Sequence, residues 1–134
     1  MSTFLDTNVV VYAFDEANPE KRTRAIAIFE EGKRLVVSNQ VLLETWWVLT
    51  RRLAEPLSED KASAVIDTLT ELPVVNTDPE LVQRAIRTSR ESEIAIWDAM
   101  IIEAARSAGC DRVLSEDLRN GQDFGGVVVR NPFA

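Results

Sequence analysis

The chain has 134 residues, of which 46% are hydrophobic and 28% are charged. This length and balance predict one globular domain over residues 1–134 with its own core, and they exclude the disordered and membrane-spanning classes of protein. With 22 acidic and 15 basic residues the formal net charge is -7, which argues against a protein that coats nucleic acid by general electrostatic attraction.

The first predicted elements are a short strand and a helix that meet at Asp6. Residues 3–5 form a brief apolar run, and Asp6, Thr7 and Asn8 are all residue types that cap helix starts. In a parallel α/β sheet, ligands bind beyond the carboxyl ends of the strands, so a carboxylate at this point is placed for chemistry as well as for capping. Taken alone, Asp6 or Asn8 is explained equally well as a helix cap.

The order of strand, cap and helix repeats along the chain. Helices are predicted over residues 19–31, 40–54, 58–70, 78–91 and 94–108, and strands over residues 35–38, 73–75, 112–115 and 127–129. In the 78–91 helix, Val82 and Ile86 are expected to face inward. Alternating strands and helices predict an α/β fold of three layers, with a mostly parallel central sheet of about five strands and helices on both faces.

Two acidic residues lie on helix faces that are otherwise apolar. Glu44 has Val41 and Val48 as its neighbours along the helix, and Asp98 shares a face with Ile101. A carboxylate on an apolar face is unfavourable unless it is paired or bound to a cation. Each has a structural alternative that stays open. Glu44 could form an ion pair with Arg51 or Arg52. Asp98 could be an N-cap, with the last helix beginning there.

A further acidic residue, Asp117, follows the predicted strand 112–115 and is expected at the same edge of the sheet as Asp6. Glu116 is an alternate for this position, and an ordinary loop role is the structural alternative. Together with Glu44 and Asp98 these acids would repel one another unless a hard cation held them. Oxygen-only ligation favours Mg²⁺ or Mn²⁺ over zinc.

Composition narrows the chemistry further. The chain has no histidine, so the usual general base and the usual zinc ligand are absent. The one cysteine, Cys110, rules out an internal disulfide and is compatible with a reducing cytoplasm. No apolar stretch has membrane-spanning length, and Asp6 interrupts an N-terminal run without a basic leader, so neither a membrane anchor nor a secretory signal is expected.

Four short motifs resemble those of the PIN-domain ribonucleases, and among them the toxins of bacterial VapBC-type toxin–antitoxin pairs. Phe4-Leu5-Asp6-Thr7-Asn8 resembles the family's opening signature, Glu44 falls on its second acidic position, and Ile96-Trp97-Asp98-Ala99 resembles the third. Ser115-Glu116-Asp117 is similar to the fourth, for which Glu116, Asp117 and Asp123 compete. The tail, residues 121–127 and 131–133, is similar to one subgroup of these toxins.

The resemblance implies a metal-dependent ribonuclease. Asp6, Asp98 and Asp117 would hold Mg²⁺ or Mn²⁺, with Glu44 assisting directly or through water, and a deprotonated water would cleave the phosphodiester. Thr7, Asn8 and Ser115 would orient ligands or water. Single-stranded or loop RNA is the expected substrate. Phosphate contacts are expected from some of five arginines: Arg22, Arg24, Arg51, Arg87 and Arg119.

The resemblance also implies a cognate antitoxin that occludes the groove, and a homodimer. Trp46 and Trp47 are adjacent on one helix, so either one of them lies at an interface or both pack at the edge of one core.

Two other functions are alternatives to the nuclease. A catalytically silent binding module would keep the fold without the chemistry. A phosphatase with Asp6 as nucleophile would resemble haloacid-dehalogenase enzymes, but these carry a second Asp where this chain has Asn8.

Overall fold

A five-stranded sheet forms the centre of the structure, a computed structural model that describes residues 2–134. The strands are β1 (Ser2–Leu5), β2 (Arg34–Ser38), β3 (Val74–Val75), β4 (Arg112–Leu114) and β5 (Val128–Arg130). They are ordered β3-β2-β1-β4-β5, and every neighbouring pair is parallel. Phe4 in β1 lies opposite Val36 in β2 and Val113 in β4, and all three are fully buried. The predicted parallel α/β sheet is confirmed.

Within residues 2–134, six helices connect and cover these strands. They are α1 (Thr7–Tyr12), α2 (Pro19–Glu30), α3 (Asn39–Arg51), α4 (Glu59–Leu69), α5 (Pro79–Ser92) and α6 (Ile96–Ser107). Four of them begin where a side chain accepts a backbone N–H of the first turn, at Asp6, Ser38, Ser58 and Asp78. None of the helices within residues 2–134 combines the length and apolarity needed to cross a membrane.

The strand order decides which helices cover which face. In chain order, β2 and then β3 are added on one side of β1. The chain then crosses back over the sheet, and β4 and β5 are added on the other side of β1. Right-handed crossovers therefore put α1 to α4 on one face and α5 and α6 on the other. Consistently, α3 packs on α1 and β2, while α6 packs on α5, β2 and β4. The order reverses between β1 and β4, which makes their carboxyl ends the expected ligand site.

Some boundaries and faces differ from the sequence expectation. The helix α6 begins at Ile96, two residues later than predicted, because Glu93 adopts a left-handed conformation (φ 55°) that ends α5, and Ile94 then belongs to the connection. Val82 and Ile86 are 37% and 46% exposed, so the prediction that they face inward is wrong. The buried face of α5 is narrower and uses Leu81 and Ala85.

Candidate active site

Asp6 lies at the carboxyl end of β1, where the chain passes from the sheet into α1. Its backbone N–H donates to the Leu114 carbonyl (3.0 Å), which keeps the residue beside the end of β4. One carboxylate oxygen accepts a hydrogen bond from the Thr7 backbone N–H (2.7 Å), and the other accepts one from the Ser115 hydroxyl (2.7 Å). Asp6 is only 6% exposed. It is therefore a helix cap that is also buried and held from two sides.

Burial makes Asp6 a weaker acid than usual. Loss of hydration raises its pKa from 3.8 to about 6, although the hydrogen bonds from Ser115 and Thr7 act in the opposite direction. The negative charges of Asp117 and Glu44 raise the pKa further. These two carboxylates are therefore close enough for their charges to act on Asp6.

Glu44 is tied to Asp6 through Thr7. The Thr7 hydroxyl donates to one oxygen of Glu44 (3.0 Å), and the Gln40 side-chain amide donates to the other (3.0 Å). Because α3 starts at the carboxyl end of β2, Glu44 in its second turn stays near that edge of the sheet. Within residues 2–134 Glu44 forms no ion pair with an arginine, and the guanidinium of Arg51 stacks on the Trp47 ring instead, at 4.2 Å.

Asp98 reaches the same edge from the opposite face of the sheet. The helix α6 precedes β4 and runs antiparallel to it, so its first turn, which contains Asp98, lies at the carboxyl edge. The N-cap of α6 is Ala95, so the alternative in which Asp98 caps the helix is wrong. Burial, followed by the charges of Asp117 and Glu44, raises the pKa of Asp98. No residue within 2–134 donates a hydrogen bond to its carboxylate.

Asp117 follows β4 and lies beside the other three acids. Its backbone N–H donates to the Ser115 hydroxyl (3.1 Å), and that hydroxyl donates in turn to Asp6. Ser115 is fully buried, so it links the loop after β4 to Asp6 from behind the site. The Asp117 carboxylate is exposed toward the groove.

The two competitors of Asp117 have other partners. Glu116 accepts hydrogen bonds from the Tyr12 hydroxyl and from the Lys21 ammonium (3.0 Å), and its backbone N–H donates to Asn8 (3.4 Å). Asp123 accepts the Gly126 backbone N–H (2.8 Å) in the turn before β5. Glu116 is therefore neutralised by Lys21, and Asp123 stabilises a turn.

An open groove of about 520 Å³ contains the four acids. Its other lining residues are Thr7, Asn8, Val11, Tyr12, Asp15, Gln40, Val48, Arg52, Leu53, Trp97 and Ile101. Arg52 is the basic member of this lining. The five arginines named as phosphate contacts are not part of it. A second cavity of about 500 Å³ shares Asp15 and Leu53 with the groove but contains none of the four acids.

The donor chemistry of the groove suits a hard divalent cation. Its acids offer oxygen ligands only, and no ion pair within residues 2–134 involves Asp6, Glu44, Asp98 or Asp117. Among the same residues, no three acids lie close enough to enclose an ion as they stand. Hydrogen bonds from Ser115 and Thr7 hold two of the acids in place. The site is thus an open set of unpaired carboxylates without a closed ligand cage.

Sequence reasoning missed the cluster around Lys21. Its ammonium also lies over the rings of Tyr12 (4.8 Å) and Phe133 (5.7 Å), and these two rings pack edge to face. The cluster joins α1, α2 and the C-terminal tail to Glu116. Because its members come from opposite ends of the chain, as Tyr12 and Phe133 show, no local pattern signals it.

Trp97 was also missed as a separate feature. The family-like motif drew attention to Asp98, whereas the neighbouring indole is 66% exposed and lines the same groove. An apolar residue in a helical pattern is expected to be buried, so its exposure is visible only in the structure.

A protein-family model described as "PIN domain" matches residues 3–122. No curated protein sequence matches the chain.

Solved structures share the fold at low sequence identity. VapC20 of Mycobacterium tuberculosis, described as a sarcin-ricin loop cleaving toxin, is 22% identical with a TM-score of 0.68, over 86% of this chain and 91% of that one. A toxin–antitoxin complex from Klebsiella pneumoniae is 19% identical in sequence with a TM-score of 0.70, over 97% of both chains. VapBC2 from Rickettsia felis, bound to a DNA fragment from its promoter, is 15% identical in sequence with a TM-score of 0.69, over 98% of both chains.

Proposed function

The chain belongs to the PIN domain family, and from this premise we propose that it is a metal-dependent endoribonuclease acting as the toxin of a toxin–antitoxin pair. The observation that carries the proposal is the groove in which Asp6, Glu44, Asp98 and Asp117 gather without a basic partner. Four unpaired carboxylates at one sheet edge destabilise the fold and are explained by a cation-dependent reaction. The toxin role is supported by the likeness to VapC20 and to the toxin–antitoxin complexes.

In this proposal the acids divide the work. Asp6, Asp98 and Asp117 would hold Mg²⁺ or Mn²⁺, with Glu44 assisting directly or through water. When bound, the ion would polarise the phosphodiester and lower the pKa of a water molecule. With no histidine in the chain, no imidazole takes the part of general base. Hydrolysis would leave a 5′-phosphate and a 3′-hydroxyl without a covalent enzyme intermediate.

The neighbouring hydroxyls and amides would keep these acids in position. The Thr7 backbone and side chain bind Asp6 and Glu44 at once, so a single residue sets the spacing of two acids. The Ser115 hydroxyl fixes one oxygen of Asp6 and the backbone of Asp117. Outer-shell partners of this kind orient ligands and raise their affinity for a metal. Asn8 contributes by accepting the backbone N–H of Glu116.

The partners of the protein follow from the same proposal. They are an RNA substrate, a cognate antitoxin that covers the groove, and a second copy of the chain in a homodimer, all in the cytoplasm. Leu43 and Trp47, which are 74% and 49% exposed on α3, support the presence of a protein interface. Trp46 differs from its neighbour, since its indole N–H donates to Ser63 (3.2 Å).

Controlled expression of the wild-type protein and of two matched variants, with mapping of RNA cleavage sites, tests the proposal. Asp98→Asn removes a groove acid that accepts no hydrogen bond from residues 2–134, and Glu116→Gln changes an acid outside the groove. We expect Mg²⁺- or Mn²⁺-dependent cleavage by the wild type and Glu116→Gln, and none by Asp98→Asn or in chelator. Unchanged toxicity of Asp98→Asn would indicate a silent binding module, and an aspartyl-phosphate on Asp6 would indicate a phosphatase.

A further inference from the structure

We propose that Trp97 is a stacking platform for an unpaired RNA base next to the scissile phosphate. This inference rests on the proposed nuclease function and adds a substrate-contacting residue to it. It also specifies the substrate: RNA with a base free to leave its stack.

The first support is the exposure of the indole at the groove. Trp97 is 66% exposed, although it precedes a helix segment that is almost wholly buried, residues 99–105. Its neighbour Asp98 and Ile101, one turn further along α6, line the same groove. The indole therefore lies at the rim of the groove, on a helix whose following residues, 99–105, are buried.

The second support comes from the other two tryptophans. The Trp46 indole donates to Ser63, and the Trp47 ring carries the Arg51 guanidinium at 4.2 Å. The Trp97 ring makes neither kind of contact within residues 2–134. A large aromatic side chain that is held at a site, exposed and unpartnered is unfavourable in water and is suited to a flat ligand.

The third support is the charge of the groove. Among its lining residues are five acids, namely Asp6, Asp15, Glu44, Asp98 and Asp117, and one cation, Arg52. Without a bound cation these acids would repel phosphates, so the side chains of the groove do not themselves attract RNA by opposite charge. Stacking on an aromatic ring needs no charge and tolerates any base, because every base has a flat face.

Stacking also selects the form of the RNA. In a duplex both faces of a base are covered by its neighbours, whereas bases in single strands and loops can be splayed onto aromatic side chains. Trp97 would therefore favour single-stranded RNA and would hold one base while the adjoining phosphate lies over the acids.

The test measures binding separately from cleavage. A fluorescein-labelled single-stranded oligoadenylate is titrated with the Asp98→Asn protein, which is expected not to cleave it, and binding is followed by anisotropy. The same titration is made with three double variants, in which Asp98→Asn is combined with Trp97→Ala, Trp97→Phe or Trp47→Ala. We expect Trp97→Ala to weaken binding roughly 5- to 150-fold. Trp97→Phe should retain most of the affinity because it keeps a flat ring, and Trp47→Ala should have no effect because Trp47 is outside the groove. Thermal unfolding of each variant checks that the fold is intact.

Several outcomes would overturn the inference. Equal RNA affinity of the Asp98→Asn protein with and without Trp97→Ala would do so. Equal weakening of binding by Trp97→Ala and Trp97→Phe would also do so. So would a loss of affinity on Trp97→Ala that is as large for an oligoadenylate–oligouridylate duplex as for the single strand. If Trp97→Ala bound RNA normally but lost a protein partner, the indole would belong to a protein interface. Failure of the nuclease proposal is distinguishable, since the wild type would then bind RNA without cleaving it. A wild type that bound no RNA would refute both.

Discussion

Asp6→Asn is expected to stabilise the fold at neutral pH while removing the proposed activity. Burial raises the pKa of Asp6 from 3.8 to about 6 in the folded protein. An ionised carboxylate with its pKa raised by this amount lowers the free energy of unfolding by roughly 3 kcal/mol. Asp6 is 6% exposed, so solvent screening reduces this figure little. Asparagine removes the charge and keeps nearly the same shape.

The hydrogen bonds of the site allow this replacement. The asparagine oxygen can accept the Thr7 backbone N–H, and its amide can donate to the Ser115 hydroxyl, which accepts as well as donates. The Asn8 side-chain amide, which donates to the same Asp6 oxygen at 3.5 Å, loses its acceptor, and this offsets part of the gain. The net gain at pH 7, without divalent cations, should therefore be on the order of 1 to 3 kcal/mol.

The sign of the pH dependence follows from the raised pKa. Below pH 3.8 Asp6 is protonated in both the folded and the unfolded chain, so its contribution to stability is fully present there. That stability is lost as the pH rises through about 6. The advantage of Asp6→Asn over the wild type should thus be small near pH 4 and reach its full size above pH 6.

Urea unfolding followed by circular dichroism, in chelator and at a series of pH values, measures this difference. Asp67→Asn, at an exposed position on α4, controls for the loss of one negative charge. If Asp6→Asn differed from the wild type by the same amount at every pH, or were less stable at pH 7, the account of a desolvated charge would be wrong.

Three other outcomes are expected. In assays of RNA cleavage, Asp117→Asn should lower the cleavage rate by more than the roughly 10- to 100-fold that follows loss of a residue hydrogen-bonded to a metal ligand. Glu116→Gln should cleave at close to the wild-type rate. Glu103→Ala should lower the free energy of unfolding by roughly 1 to 3 kcal/mol in urea titrations, because Glu103 is buried and accepts hydrogen bonds from Thr88 (2.9 Å) and Arg106 (3.1 Å) that alanine cannot accept, yet cleavage should persist where the protein stays folded. Cys110 should react with a disulfide reagent only after unfolding, since it is buried and its pKa is raised to about 11.

Local signals along the chain account for most of the fold. Pro19 and Gly32 bracket α2, and Ser38 and Asp78 begin α3 and α5 by accepting a first-turn N–H. These are short-range effects that a sequence displays directly. The start of α6 was missed because it depends on the left-handed conformation of Glu93, a residue type that gives no sign of it.

Three acids of the candidate site could be predicted from the sequence, because each is a charged residue in an otherwise apolar segment. Asp6 ends an apolar strand, and Glu44 and Asp98 interrupt apolar helix faces, so each is anomalous in its own segment. Which of Glu116 and Asp117 lines the groove was not predictable. It depends on Tyr12 and Lys21, which are about a hundred residues away and draw the first of the two side chains out of the groove.

The raised pKa of Asp6 links the stability of the protein to its proposed cofactor. A cation that binds the ionised carboxylate in the folded state alone stabilises the fold by about 2.7 kcal/mol at a hundred times its dissociation constant. This is close to the roughly 3 kcal/mol that the ionised, desolvated charge costs at pH 7. Mg²⁺ or Mn²⁺ at about a hundred times its dissociation constant should therefore bring the stability of the wild type close to that of Asp6→Asn in urea titrations and should stabilise the variant much less. Equal stabilisation of both proteins would mean that Asp6 is not a ligand of the ion.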